Sequence, residues 1–427
     1  MSLVRKDYKK RLIDDKITRY LNIFGAISIQ GPKWCGKTWT SLNHANSVIY
    51  MTEKGSRDLA MVDPKYIFKE ERPQLIDEWQ LVPSIWDSVR HECDMDHNKG
   101  KFILTGSTTL AKQDEEEEIF HTGTGRIAIM QMNTMSLYES GDSSGDVSIT
   151  DMLLGNVNGK YIRKVELDEL AKYIVRGGWP ENIDKNIADI DVIPRNYIES
   201  IINKDINERK DKKRDSNKMR MLIRSLSRNE SSIVGNDTIV KDIEEYEREE
   251  DLLESRITVA DYINVLDSLY LTANQEAFSV NYRSSKRIGK SPKRHLVDPS
   301  LSCASLGLTV EKLLHDFNTF GLMFEALVER DLRIYMNYLD GQLFHFRDNS
   351  SGDEVDAILE FKDGEYAAVE IKLSERGVEE AKKSLLKFYN NVSRKPKFMC
   401  IVVGHYEAVV QDKETGIYIV PITSLRP

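Results

Sequence analysis

The sequence predicts an α/β chain with an N-terminal parallel sheet carrying a P-loop, an α+β middle region of winged-helix order and a C-terminal α/β domain. Three observations predict it. The run Gly31-Pro32-Lys33-Trp34-Cys35-Gly36-Lys37-Thr38 fits the P-loop pattern and lies between an apolar run and a helical stretch. Strand-like runs at 47–50, 74–77, 101–105 and 127–130 follow it, with helical patterns between several of them. From Glu311 onward a long helix is followed by three strands, a helix and further strands.

Within the first element, Ala26-Ile27-Ser28-Ile29 reads as a buried strand and Thr38 to Asn43 as the start of a helix. The glycines let backbone N–H groups close round phosphates, Lys37 supplies a point charge to the outer phosphates, and the Thr38 hydroxyl ligates Mg²⁺. The expected ligand is therefore ATP with Mg²⁺, cradled by Gly31, Pro32, Lys33, Trp34, Cys35, Gly36, Lys37 and Thr38. A Cys35 thiol exposed in this loop would be covered by the bound phosphates.

One α/β unit later, Pro73-Gln74-Leu75-Ile76-Asp77-Glu78 ends an apolar strand with two acids, in the manner of a Walker B segment. Asp77 would hold the Mg²⁺ shell, and Glu78 would orient or deprotonate the attacking water. The next strand ends in Thr105-Gly106-Ser107, where Ser107 either senses the outer phosphate or caps the helix that follows. Arg126 precedes a strand and would stabilise phosphate charge in cis or from a neighbouring copy, the latter requiring a homo-oligomer. A plain surface arginine is the alternative.

With 427 residues the chain has room for several domains, each with its own core. A formal charge of -9 argues against wholesale binding to nucleic acid or acidic membranes, while leaving room for a local basic segment. The sequence holds no apolar stretch of membrane-spanning length, and Met1 to Asp15 lacks a signal-peptide core, so a cytoplasmic location is expected. Cys35, Cys93, Cys303 and Cys400 have no metal-ligand spacing and suit free thiols in a reducing compartment.

The acidic stretch Asp114-Glu115-Glu116-Glu117-Glu118 reads as a solvated loop or a binding element. Further on, mixed charge from Lys204 to Arg228, an acidic helical pattern from Thr238 to Glu254, and an amphipathic helix from Thr258 to Leu269 precede a strand pair. Three helices and then a hairpin is winged-helix order. The wing would hold Arg283, Lys286, Arg287, Lys290, Lys293 and Arg294 with no acid among them, a run that binds DNA phosphates or is a solvated loop. These readings divide the chain into 1–150 (P-loop domain), 151–205 (helical lid or linker), 206–303 (winged-helix-like) and 304–427 (C-terminal domain).

With Phe24-Gly25-Ala26, the P-loop, Leu75-Ile76-Asp77-Glu78-Trp79-Gln80 and Leu104-Thr105-Gly106-Ser107, the first domain resembles an AAA-type P-loop ATPase. More narrowly, it resembles a family of bacterial and archaeal ATPases that carry a C-terminal domain of unknown function. Further matching pieces are Gly177-Gly178-Trp179-Pro180-Glu181, His295 to Leu301 and Gly321 to Lys372, so the likeness spans most of the chain. The resemblance implies the ATPase roles given above to Lys37, Thr38, Asp77 and Glu78. The acidic insertion before Gly125 departs from the shorter loop expected there.

In the C-terminal region, Glu325, Asp356 and Glu370-Ile371-Lys372 resemble the acid, acid and Glu-x-Lys elements of PD-(D/E)xK nucleases, and the element order is that of the restriction-endonuclease core. If Lys362-Asp363-Gly364 is a hairpin loop, Phe361 pairs with Glu365, and counting back sets Asp356 opposite Glu370. Glu370 and Lys372 then share a face. The resemblance implies that Glu325, Asp356 and Glu370 hold a second Mg²⁺ or Mn²⁺, and that Glu370 and Lys372 act in cleaving DNA. The alternatives are a solvated sheet face, or a nuclease-like domain that binds DNA or a protein without cutting.

Overall fold

A computed structural model describes the chain except for residues 1, 2, 5, 70, 108–121, 187, 206–214, 245–255, 282–289 and 349–351. The acidic stretch 114–118 and the basic residues Arg283, Lys286 and Arg287 lie outside the described residues. The chain packs into two compact units, one of residues 1–134 with 266–271 and one of residues 135–265 with 272–427.

In the first unit five parallel strands form one sheet: β1 (Ala26–Gln30), β2 (Ser47–Tyr50), β3 (Gln74–Asp77), β4 (Phe102–Gly106) and β5 (Ile127–Gln131), in the order β2-β3-β4-β1-β5. The strands read as unbroken apolar runs because both faces of the sheet are covered. Ala26, Ile76, Phe102 and Leu104 face a core completed by Trp79, Ile85, Trp86 and Val89. Their neighbours Ile27, Ile29, Leu75 and Ile103 face the other way, toward Ile17 and Leu42. On the first face Ile85, Trp86 and Val89 come from α4 (Ser84–Met95) and Trp79 from the short turn Trp79–Leu81 before it; on the second, Ile17 comes from α1 (Ile13–Leu21) and Leu42 from α2 (Lys37–Leu42).

The register fixes the working edge. With Ile29 and Gln30 beside Thr105 and Gly106, and Asp77 beside Thr105, the C-terminal ends of β1, β4 and β3 lie side by side. The P-loop leaves β1 at this edge, as expected for ligand sites in open parallel sheets.

In the second unit an eight-stranded mixed sheet contains the strands Gln342–Asp348, Asp353–Glu360 and Tyr366–Ser374 as an antiparallel meander. Met399–His405 then pairs parallel to Tyr366–Ser374, and Tyr418–Pro421 parallel to Met399–His405. The helix Val378–Asn391 buries Ala381, Leu385 and Phe388 against Ile358, Ile401 and Val403. The long helix expected from Glu311 is two, Val310–His315 and Phe317–Tyr338. Asp316 interrupts them with non-helical backbone and caps the second, its Oδ1 accepting from the Thr319 N–H at 3.1 Å.

Three helices of the middle region, Ser216–Arg228, Asn236–Glu244 and Arg256–Ser268, precede an antiparallel pairing in which Gln275 bridges Lys293 and Thr272 bridges Leu296. Lys293 and Arg294 also pair with Ile233 and Ser232.

Candidate functional site

The P-loop backbone requires its glycines. A Cβ on Gly31 would stand 2.0 Å from the Met132 carbonyl oxygen, and Gly36 takes a left-handed φ of 103° at the start of α2. Lys37 is buried and donates from Nζ to the Gly31 and Pro32 carbonyls at 2.9 and 2.8 Å, so its charge is held at the loop mouth. Lys33 is half-buried, and Trp34 is exposed at φ 64°.

Two hydroxyls converge on Asp77 at the end of β3. Thr38 Oγ1 donates to Asp77 Oδ1 at 2.8 Å, and Thr105 Oγ1 donates to the same oxygen at 2.6 Å. Burial raises the Asp77 carboxyl pKa despite these donors. The next residue, Glu78, sits in left-handed backbone at φ 55°, a conformation costing roughly 1–2 kcal/mol for a residue with a side chain. Its carboxylate accepts from Ser107 Oγ at 3.1 Å and from Gln80 Nε2. A hydroxyl, a carboxylate beside it and a second, separately oriented carboxylate fit a phosphate-bound Mg²⁺ and a water, because Mg²⁺ takes few protein ligands and keeps waters and phosphate oxygens.

In the second unit the paired register runs from Glu360 opposite Tyr366 to Ala357 opposite Val369, one residue short of Asp356 and Glu370, and these two meet through Lys372. Lys372 Nζ lies 2.9 Å from Glu370 Oε2 and 3.7 Å from Asp356 Oδ2. Asp356 Oδ2 also accepts from the Ile371 N–H at 2.8 Å, and Glu370 Oε1 accepts from Ser384 Oγ at 3.1 Å. Burial and the Asp356 charge push Glu370 up to about 7, and the two carboxylates raise Lys372 above its ordinary value against the opposing effect of burial.

Glu325 is engaged differently. Lys293, 3% exposed, pairs with Glu325 Oε1, with Glu329 Oε1 at 2.8 Å, and with the Asp356 carbonyl at 3.3 Å. Beyond Glu329 the chain of buried charge runs on: His295 Nε2 is 2.8 Å from Glu329, and His295 Nδ1 is 2.9 Å from Glu230. Burial disfavours the imidazolium, but Glu329 and Glu230 on its two sides raise the His295 pKa above the usual value. Glu325 itself is pushed up to about 8 by burial.

These donors do not fit the expected second metal. Each of the three carboxylates already has a lysine close by, and among the described residues no group of three His, Cys, Asp or Glu is placed to hold an ion. The wing expectation is corrected as well. Lys293 and Arg294 are buried, Arg294 donating to the Val234 carbonyl at 3.1 Å and to Asn236 Oδ1 at 2.7 Å, so neither reaches DNA phosphate. Lys290 donates to the Arg347 carbonyl.

Residues 24–140 match the AAA domain family. The N-terminal region is an AAA-type domain. Residues 167–312 and 320–425 match two families described as domains of unknown function, DUF8612 and DUF4143. Among solved structures, the chain is similar to the Walker-type ATPase PABY2304 of Pyrococcus abyssi, with 13% identity over 71% of this chain and 98% of that one, at a TM-score of 0.41. It is also similar to the ORC2 protein of Aeropyrum pernix (11% identity, 74% and 98% covered, TM-score 0.33) and to the RuvB Holliday junction branch migration motor of Thermotoga maritima (16%, 62% and 88%, 0.27). No curated protein sequence matches the chain.

In the AAA-type domain the action of Arg126 in cis and the exposure of the Cys35 thiol are overturned. Ile127 pairs with Ala26, so Arg126 stands at the N-terminal edge of the sheet, one strand length or about 16 Å from the P-loop edge. There its Nε pairs with Asp94 Oδ1 at 2.6 Å, and it does not reach phosphates bound to its own chain. Cys35 is fully buried with its thiol 3.6 Å from the Met132 carbonyl, so an exposed thiol that nucleotide would protect is not present.

Thr105 and Gln80 are the site residues whose roles sequence alone left undefined. Their signal was position: Thr105 is the last residue but one of β4, the strand between β1 and β3, and Gln80 lies two residues beyond Glu78.

No helix among the described residues is long and apolar enough to cross a membrane.

Proposed function

We propose that the AAA-type domain binds ATP with Mg²⁺ and hydrolyses it. The observation that carries this reading is the convergence of Thr38 and Thr105 on Asp77, with Glu78 held separately by Ser107 and Gln80. Backbone N–H groups of residues 33–38 bind the phosphates, and Lys37 exchanges its two loop carbonyls for outer phosphate oxygens. Thr38 and Asp77 would hold the Mg²⁺, which neutralises charge on the transferred phosphoryl group. Glu78 orients a water for in-line attack and accepts its proton, while Ser107 and Gln80 keep the carboxylate in place. Metal-dependent release of phosphate from ATP by the purified protein tests the reading, and its absence with Mg²⁺ and Mn²⁺ would remove hydrolysis from it.

For the second unit we read a nuclease-like domain that holds DNA or a protein partner without cutting it, switched by the nucleotide. The pairing of Glu370-x-Lys372 with Asp356 supports the nuclease-like reading, and the capture of Glu325 by Lys293 favours the non-cleaving form. Incubation with plasmid, single-stranded and branched DNA, with and without Mg²⁺ and ATP, separates the two. Nicking that disappears in Asp356→Asn would establish the cleaving alternative.

A further inference from the structure

Ahead of α1, one arginine is built into the underside of the P-loop. Arg11 is 4% exposed, and its guanidinium donates from Nη1 to the Cys35 carbonyl at 2.7 Å. From Nη2 it donates to the carbonyls of Asn133 at 2.8 Å and Thr134 at 3.1 Å, just beyond β5. Its own backbone N–H is tied to Asp14 Oδ2 at 2.7 Å. Asp14 is in turn gripped by Tyr8, whose hydroxyl donates to Oδ1 at 2.8 Å, and by His44 Nε2 at 2.7 Å. Since His44 follows α2 and the Tyr8 hydroxyl also lies 3.2 Å from Thr40 within it, residues 8–14 brace the P-loop and its helix together.

The geometry of the peptide unit gives this brace a chemical consequence. A trans peptide sets its C=O and the following N–H in opposite directions. Holding the Cys35 carbonyl toward Arg11 therefore turns the Gly36 N–H away from Arg11. Left-handed Gly36 is free of a Cβ and has many alternatives, so an external restraint on this peptide matters more than on an ordinary residue. A guanidinium suits the task because its planar fork holds several carbonyls at fixed angles, which an ammonium does not.

We propose that Arg11 is a positioning residue for the triphosphate: by fixing the Cys35–Gly36 peptide against residues 133–134 it presets the N–H groups that receive phosphate. This rests on the ATP reading above. Arg11 does not touch the ligand. It removes the cost of ordering the loop at the moment of binding, as preorganisation does generally.

The test is calorimetric titration of the full-length protein with Mg-ATP and with inorganic tripolyphosphate, for the parent, Arg11→Ala and Arg11→Lys. Arg11→Ala is expected to weaken both ligands by the same factor, about tenfold or more, with KM for ATP rising in step and kcat nearly unchanged. Arg11→Lys should recover part of the loss. If Arg11→Ala fails to fold, Arg11→Lys with a parent-like unfolding temperature serves alone and should still weaken both ligands equally. A folded Arg11→Ala that binds both ligands like the parent overturns the inference. So does a loss confined to ATP with tripolyphosphate unchanged, which would tie Arg11 to the nucleoside. A parent that binds neither ligand overturns the ATP reading and the inference with it.

Discussion

Thr38 Oγ1 donates to Asp77 Oδ1 across 2.8 Å, joining the P-loop helix to the end of a strand two places away in the sheet. Residues 39 positions apart in sequence thus present one hydroxyl and one carboxylate to the same point. Thr38→Val, which keeps the shape and removes the hydroxyl, should weaken Mg-ATP about tenfold and leave metal-free ATP nearly unchanged. Titration with excess Mg²⁺ and then with a chelator checks this. An equal loss in both conditions would mean that Thr38 acts on the fold rather than at the ion.

Glu78 has a different task and a different expected outcome. Glu78→Gln retains hydrogen-bonding atoms for Ser107 but cannot accept a proton, so binding should persist while hydrolysis slows about a hundredfold or more. Single-turnover kinetics on preformed complex measure the step. Turnover equal to that of the parent would take Glu78 out of the mechanism.

How far the sequence was readable follows from where each partner lies. The P-loop and Asp77-Glu78 were legible because their chemistry depends on short contiguous runs and on the strand that ends in them. The closure of the hairpin by Phe361 and Glu365 was also legible, since a tight loop sets the count between two adjacent strands. Arg11 was not, because its acceptors lie 24, 122 and 123 residues away. Lys293 and Arg294 looked like the end of a basic wing, and nothing nearby in sequence reveals that pairing with Ser232 and Ile233 buries them. The cis role of Arg126 fell for a related reason: a residue before a strand belongs to the opposite edge from one after it, which only the parallel register decides.

Lys293 should behave as a structural counter-ion. Lys293→Met leaves Glu325 and Glu329 buried without their shared cation, and unfolding by denaturant should show a loss of about 3–5 kcal/mol. A loss under about 1 kcal/mol, together with a flatter salt dependence of DNA binding, would restore Lys293 to the phosphate-contact role.

Glu370 makes stability depend on pH. Its folded pKa, about 7, is above the ordinary value of 4.5, so its contribution is fully present below pH 4.5 and is lost as pH rises through about 7. Glu370→Gln removes the buried charge that forms at high pH beside Asp356. Relative to the parent, the variant should therefore gain on the order of 1–3 kcal/mol between pH 4.5 and 8. Denaturant midpoints of both proteins across that range supply the comparison. A difference independent of pH would mean that Lys372 keeps Glu370 ionised throughout.

In the proposed function the loop from Gly31 to Thr38 binds the triphosphate through Lys37, whose Nζ is held by two loop carbonyls at 2.9 and 2.8 Å. Isothermal titration of Mg-ATP into the parent and into Lys37→Ala is the decisive comparison. One site is expected in the parent and a loss of at least about a hundredfold in the variant, since a charge-assisted contact to the outer phosphates goes and the backbone cradle cannot replace it. Equal affinity in parent and variant, with both folded, would contradict it.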